Sequence, residues 1–189
     1  TAVVSFLMGL EAGDRVVILD CDLRRPRIHK VFEAERGPGI TQVVSGETTL
    51  DDTVRPTLVT NLSYLPAGRS TERPNELLAS LSVQNMLEDL SERFDLVIVD
   101  SPPSVLLSDA RILARYADAV VMMVKEKATS RVLIREAIRG LQQVGAPLLG
   151  VIVNEVDLNR RPGYSYKYGY GYRYDRYYYG EDDQTAAAK

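Results

Sequence analysis

Three carboxylates in this sequence are placed where they could act together. The segment Val16-Val17-Ile18-Leu19-Asp20-Cys21-Asp22-Leu23-Arg24-Arg25-Pro26 closes an apolar run with an Asp-x-Asp-x-Arg element. Two carboxylates two residues apart at a strand exit can converge on one small volume. There they can hold Mg²⁺, directly or through water, with phosphate oxygens completing its shell. Either could instead accept a proton from an attacking hydroxyl. The rival reading is a solvated turn in which Asp and Arg pair at the surface for little energy. A second run, Leu96-Val97-Ile98-Val99-Asp100-Ser101-Pro102-Pro103, ends the same way. A carboxylate there can orient Mg²⁺ beside nucleotide phosphates. An apolar strand ending in Asp is common by itself. Beside the first element it is harder to dismiss as accident.

A nucleotide site also needs a phosphate cradle, and no Gly-x-x-x-x-Gly-Lys-Ser/Thr occurs in the 189 residues. Thr1 opens into an apolar segment of the kind that follows such a loop, so the expectation is a chain truncated just after it. The alternative is that no such loop existed. A third signal is aromatic: nine of the eleven tyrosines are Tyr164, Tyr166, Tyr168, Tyr170, Tyr172, Tyr174, Tyr177, Tyr178 and Tyr179. Interleaved with Gly and Arg, they suit a base-stacking segment or a phosphorylation substrate. Only Lys167, Arg173 and Arg176 are cationic within the run, which argues against nucleic acid. Each phosphate would add about −1.5 to −2 charge and make the segment self-repelling.

The elements that must position these groups follow from hydrophobic pattern. Residues 15–20, 62–65, 96–100, 119–124 and 148–153 are short apolar runs without alternation, as expected of parallel strands covered on both faces. Helical spacing marks 1–12, 75–94, 108–116 and 130–144, with Gly13 and Gly145 as stops. Alternating strands and helices predict an α/β doubly wound, mostly parallel sheet with helices on both faces. In that architecture ligands bind at the carboxyl ends of strands, where Asp20 and Asp100 fall. Beyond residue 158 the apolar pattern fails. The expected division is a domain over 1–158 and a flexible tyrosine-rich tail over 159–189.

Composition narrows the classes. Net charge is −3, so no global basic field draws the chain to nucleic acid. Cys21 is the sole cysteine and His29 the sole histidine, excluding an internal disulfide and a His-rich metal site. No apolar stretch approaches the roughly 20 residues that span a bilayer, and no signal peptide is recognisable.

With these signals in order, the chain resembles the catalytic domain of bacterial tyrosine kinases, the polysaccharide co-polymerase group related to ParA/MinD-like P-loop ATPases. Val-Val-Ile-Leu-Asp-Cys-Asp-Leu-Arg matches the family's Walker A′ and Val-Ile-Val-Asp-Ser-Pro-Pro its Walker B. Leu65-Pro-Ala-Gly-Arg69 through Pro74-Asn-Glu-Leu-Leu78 looks like the stretch between them, and a tyrosine cluster closes the chain. The resemblance implies an ATP- and Mg²⁺-dependent autokinase that phosphorylates the tyrosine cluster of a neighbouring subunit. Asp20 would take the phenol proton, helped by Asp22; Asp22 and Asp100 would position Mg²⁺; Asp20, Arg24 and Asn154 would contact the nucleotide. It further implies a ring-like homo-oligomer, a membrane-spanning activator domain (fused or separate), polysaccharide export machinery and a cognate tyrosine phosphatase as partners. The domain would lie at the cytoplasmic face of the bacterial inner membrane. Two other readings stay open: a ParA/MinD-like ATPase transferring phosphate only to water, and a non-catalytic co-polymerase scaffold.

Overall fold

The computed structural model describes residues 13–105 and 108–156. The helix expected over 1–12 and the tyrosine tail lie outside the described residues. The centre of the fold is β1 (Val16–Asp20), whose five residues are all buried. It pairs in parallel with β3 (Leu62–Leu65) on one side and β4 (Leu96–Asp100) on the other, placing Leu19 opposite Leu65 and Asp20 opposite Asp100. A short β2 (Arg55–Pro56) pairs antiparallel with the outer edge of β3, giving the order β2-β3-β1-β4.

The period of two along β1 divides the core. Val17 and Leu19 join Cys21, Leu23, Ile40, Leu65, Leu78, Val83 and Leu90 on one face. Val16 and Ile18 join Ile28, Leu62 and Tyr64 on the other, with Phe32 stacked on Tyr64 at 4.8 Å between ring centroids. Alternate side chains of one strand therefore serve two separate cores, as a doubly wound sheet requires. Each fully buried Leu or Ile contributes about 1.5–3 kcal/mol.

Helix α1 (Ile28–Val31) lies in the smaller core. Helix α2 (Ile40–Val44), α3 (Pro74–Leu78), α4 (Leu81–Arg93) and α5 (Asp109–Leu113) contribute to the larger one. The helix expected over 75–94 is in fact two. It stops at Ala79, and Ser80 starts α4 by accepting a hydrogen bond from the Val83 N–H. An N-cap hydroxyl offers the backbone a local alternative that helix continuation does not, and the apolar spacing alone conceals it.

Strands β5 (Val120–Lys125) and β6 (Leu148–Asn154) form a second, parallel two-stranded sheet. Helix α6 (Arg131–Gln143), capped by Ser130, supplies Ala137 to a core containing Met122 and Val124. In this sheet Met123, Val151, Ile152 and Val153 are all more than 40% exposed. Among the described residues no helix is long and apolar enough to cross a membrane.

Candidate active site

Parallel pairing brings the carboxyl ends of β1 and β4 to one edge of the sheet. Asp20 and Asp100 are register partners there, on strands that run roughly 4.8 Å apart. The chain stays tied to β4 as it leaves β1, because the Cys21 N–H donates to the Asp100 carbonyl at 2.9 Å. At the opposite end Arg15 anchors the same pair of strands. Its backbone N–H, Nε and Nη2 all donate to the Asp95 carboxylate, at 2.8, 3.2 and 3.0 Å. That fork holds the Asp95 carboxyl down at about 2. Strand register, and with it the apposition of Asp20 and Asp100, is thus clamped from both ends.

Asp20 is completely buried. Its Oδ2 accepts from the backbone N–H groups of Arg27 and Ile28, both at 2.9 Å, where the chain enters α1. Its Oδ1 is buried without a hydrogen-bond partner. Burial pushes the Asp20 carboxyl above the usual carboxylate range, the Ile28 and Arg27 amides pull it back, and Asp22 nearby pushes it up again. Asp100 is raised to about 6, chiefly by burial and then by the negative charges of Asp20 and Asp22. Burial and neighbouring negative charge thus raise both Asp20 and Asp100, an arrangement that disfavours their joint ionisation unless a cation is supplied. Asp22 lies on the loop after β1, its Oδ1 accepting from the Arg25 N–H at 2.9 Å. Burial also raises the Cys21 thiol, so it is an unreactive core residue between the two acids.

Arg24 points to a partner that sequence reading missed. Its Nε donates to Asp109 Oδ2 at 2.8 Å and its Nη2 to Asn75 Oδ1 at 2.8 Å. Asn75 in turn donates to the Ser108 hydroxyl at 2.9 Å. Asp109 is fully buried, so this ion pair locks the loop after β1 onto the starts of α3 and α5. In sequence Asp109 looks like an ordinary acid in a first helical turn. Only its burial marks it out. Asn154 ends β6 opposite Lys125, in the two-stranded sheet rather than in the sheet that carries the carboxylates. The nine tyrosines from Tyr164 to Tyr179 lie outside the described residues.

Among the described residues no group of three or more His, Cys, Asp or Glu is placed to hold a metal unaided. The donor set nevertheless suits Mg²⁺, which takes one or two carboxylates and completes its shell with water and phosphate oxygens. Beside them the buried Asp20 Oδ1 has no hydrogen-bond partner and is an acceptor that the resting chain leaves unused.

No family model matches the chain. Individual proteins do. Tyrosine-protein kinase Ptk of Acinetobacter johnsonii is 35% identical over 77% of this chain and 20% of its own length. The succinoglycan biosynthesis transport protein ExoP of Rhizobium meliloti is 30% identical over 88% of this chain and 22% of its own. The crystal structure of the VpsO kinase domain superposes with a TM-score of 0.73, at 33% identity, over 77% of this chain and 72% of that one. The chain belongs to the bacterial tyrosine kinases. It spans about a fifth of the length of Ptk and ExoP. MinD of Pyrococcus horikoshii, solved with Mg-ADP, shares the fold at a TM-score of 0.61 and 18% identity. The bacterial tyrosine kinase fold is thus a P-loop NTPase-like one, and Asp20, Asp22 and Asp100 stand at its strand ends.

Proposed function

We propose that this bacterial tyrosine kinase domain transfers phosphate from Mg-ATP to tyrosines of the cluster Tyr164–Tyr179, on a neighbouring copy of the chain. The observation that carries the reading is the register pairing of Asp20 with Asp100, with Asp22 adding a third negative charge to the same locality. A phosphate-binding loop would complete the nucleotide site. Bound ATP would supply the transferable phosphoryl group, and its Mg²⁺ the positive charge that the carboxylates need. Asp22 and Asp100 would hold the metal, so that their mutual repulsion would become attraction to the cation. Asp20 Oδ1 accepts the phenol proton. A phenol with pKa near 10 is a poor nucleophile at neutral pH, and a buried carboxyl with a raised pKa is matched to that task. The remaining work is alignment of attacking and leaving oxygens. Arg24 serves it as a positioning residue, because its guanidinium is committed to Asp109 and Asn75 and fixes the loop bearing Asp22. Asn154 contributes to nucleotide binding from the β6 end.

The likeness to ExoP, a succinoglycan biosynthesis transport protein, supports a role in polysaccharide export; a homo-oligomer and a membrane-spanning activator belong to the proposal. Accumulating phosphate on the tail would loosen that oligomer by self-repulsion, and a cognate phosphatase would reset it. The test is phosphotyrosine mapping with ATP and Mg²⁺ on the full-length protein. Label is expected on Tyr164–Tyr179 and is expected to fall by at least about 100-fold in Asp20→Asn and Asp22→Asn. Rapid ATP turnover with no phosphotyrosine, unchanged on deleting 159–189, would replace kinase chemistry by hydrolysis. Label on serine or threonine alone would defeat the proposal.

A further inference from the structure

The same edge of the sheet carries a second polar feature, opposite in charge to the carboxylates. A cleft of about 450 Å³ opens where β3 ends, lined by Arg36, Gly37, Pro38, Gly68, Arg69 and Ser70. Its two walls are locked together. Ile40 and Thr41 N–H groups donate to the Pro66 and Ala67 carbonyls at 2.8 and 3.1 Å. The buried Gln42 side-chain carbonyl accepts from Gly39 N–H, Thr41 Oγ1 and Arg69 N–H, at 3.0, 3.0 and 3.2 Å. A Cβ at Gly39 would collide with the Pro66 carbonyl and the Gly68 amide, and one at Gly68 with Gln42 and Thr41. With φ of +84° at Gly68, glycine is required there on backbone grounds too. The cleft is therefore built into the fold, not a gap between loose loops.

Its chemistry is cationic over an apolar floor. The Arg36 Nε donates to the Gly68 carbonyl, which fixes the guanidinium, while its Nη2 is buried with no hydrogen-bond partner. A buried guanidinium nitrogen left unanswered is rare and points to an acceptor that is not part of the resting chain. Arg69 pairs with Glu47, but both side chains are about half or more exposed, so that pair gives way readily to a stronger anion. Arginine forks match phosphate oxygens better than any other side chain. A phosphate alone leaves most of such a cleft empty. Pro38 and the glycine backbone beside the arginines suit a flat apolar body attached to the phosphate.

We propose that this cleft binds phosphotyrosine, specifically a phosphorylated member of the cluster Tyr164–Tyr179. The assignment of occupant rests on the kinase reading above; the cleft itself does not. Leu65, which leads into the cleft, is the register partner of Leu19, the residue before Asp20. Chain length and strand spacing keep Arg69 within roughly 25 Å of Asp20. Alternate residues of an extended peptide are roughly 6.6 Å apart, so a phosphotyrosine seated here leaves other tyrosines of the cluster within reach of the carboxylates. A first phosphorylation would thereby tether the segment for the next.

The test is fluorescence anisotropy of a labelled peptide of residues 161–180, phosphorylated at Tyr170 or not, titrated with the phosphatase-treated 189-residue chain. It needs no ATP and no phosphoryl transfer, so failure of the kinase reading leaves it interpretable. The phosphopeptide is expected to bind about tenfold or more tighter than its unphosphorylated twin, with phenyl phosphate displacing it at lower concentration than inorganic phosphate. Arg36→Gln is expected to weaken binding by about tenfold and Arg69→Gln by about threefold. Arg69 is exposed, so its variant remains informative if Arg36→Gln fails to fold. Equal affinity for both peptides, or wild-type affinity in Arg69→Gln and folded Arg36→Gln, would overturn the proposal. So would inorganic phosphate competing as well as phenyl phosphate, which would assign the cleft to the free ion.

Discussion

Asp100 should make the metal-free protein less stable at neutral pH than in mild acid. Its folded-state pKa of about 6 lies above the ordinary carboxylate value, so the folded state binds a proton that the unfolded chain releases. The penalty is full above pH 6, shrinks as pH falls from 6 to about 4, and is absent below that. Asp100→Asn removes the charge while keeping the shape. Without magnesium at pH 7.5 the variant is expected to be more stable than wild type by about 1–2 kcal/mol, allowing for solvent screening. The difference should vanish near pH 4. Urea melts at the two pH values check it, and a destabilised variant at pH 7.5 would mean that Asp100 makes a favourable contact instead. Added Mg²⁺ and nucleotide should stabilise the wild type and not the variant. The same residue scale explains Arg24: its charge is balanced by buried Asp109, so its worth lies in holding a loop.

At the scale of elements, two serines decide where the long helices begin. Ser80 and Ser130 each accept from the N–H three residues on, at 3.3 Å in both cases. Replacing either by Ala should cost about 1 kcal/mol, a few degrees in Tm, because a helix-start donor is orphaned. Thermal melts of Ser80→Ala and Ser130→Ala measure this. A neutral Ser80→Ala would mean that α3 and α4 fuse into the single helix that the apolar spacing of residues 75–94 describes. That spacing located the helical region correctly. It could not show the break, since apolar period reports which face is buried and not whether the backbone is continuous. The strands were more legible: 62–65, 96–100 and 148–153 were readable to within a residue, because short apolar or β-branched runs bounded by turn residues have few other solutions. Helices α1 and α2 and strand β2, of five residues or fewer, carry too little pattern to be read.

For the whole molecule, burial is uneven. Strand β1 is buried throughout, whereas four of seven residues in β6 are exposed. Local opening is easiest where few apolar contacts must break. Backbone amides of β1 are therefore expected to exchange with deuterium roughly 100-fold more slowly than those of β6, measured by NMR or mass spectrometry. Equal protection would show that the two sheets open as one unit. The carboxylates belong to the well-protected sheet, which suits a site that must hold charge in place.

The sequence by itself determined the residue types, the order of the strand-end acids and the α/β class, since each is written in local pattern. Which acids meet was decided by tertiary structure. Asp20 and Asp100 are eighty residues apart, and parallel pairing to β1 alone makes them neighbours. Burial likewise cannot be read from type, and it is burial that separates Asp109 from the surface acids, lifts Asp100, and leaves one oxygen of Asp20 and one nitrogen of Arg36 unanswered.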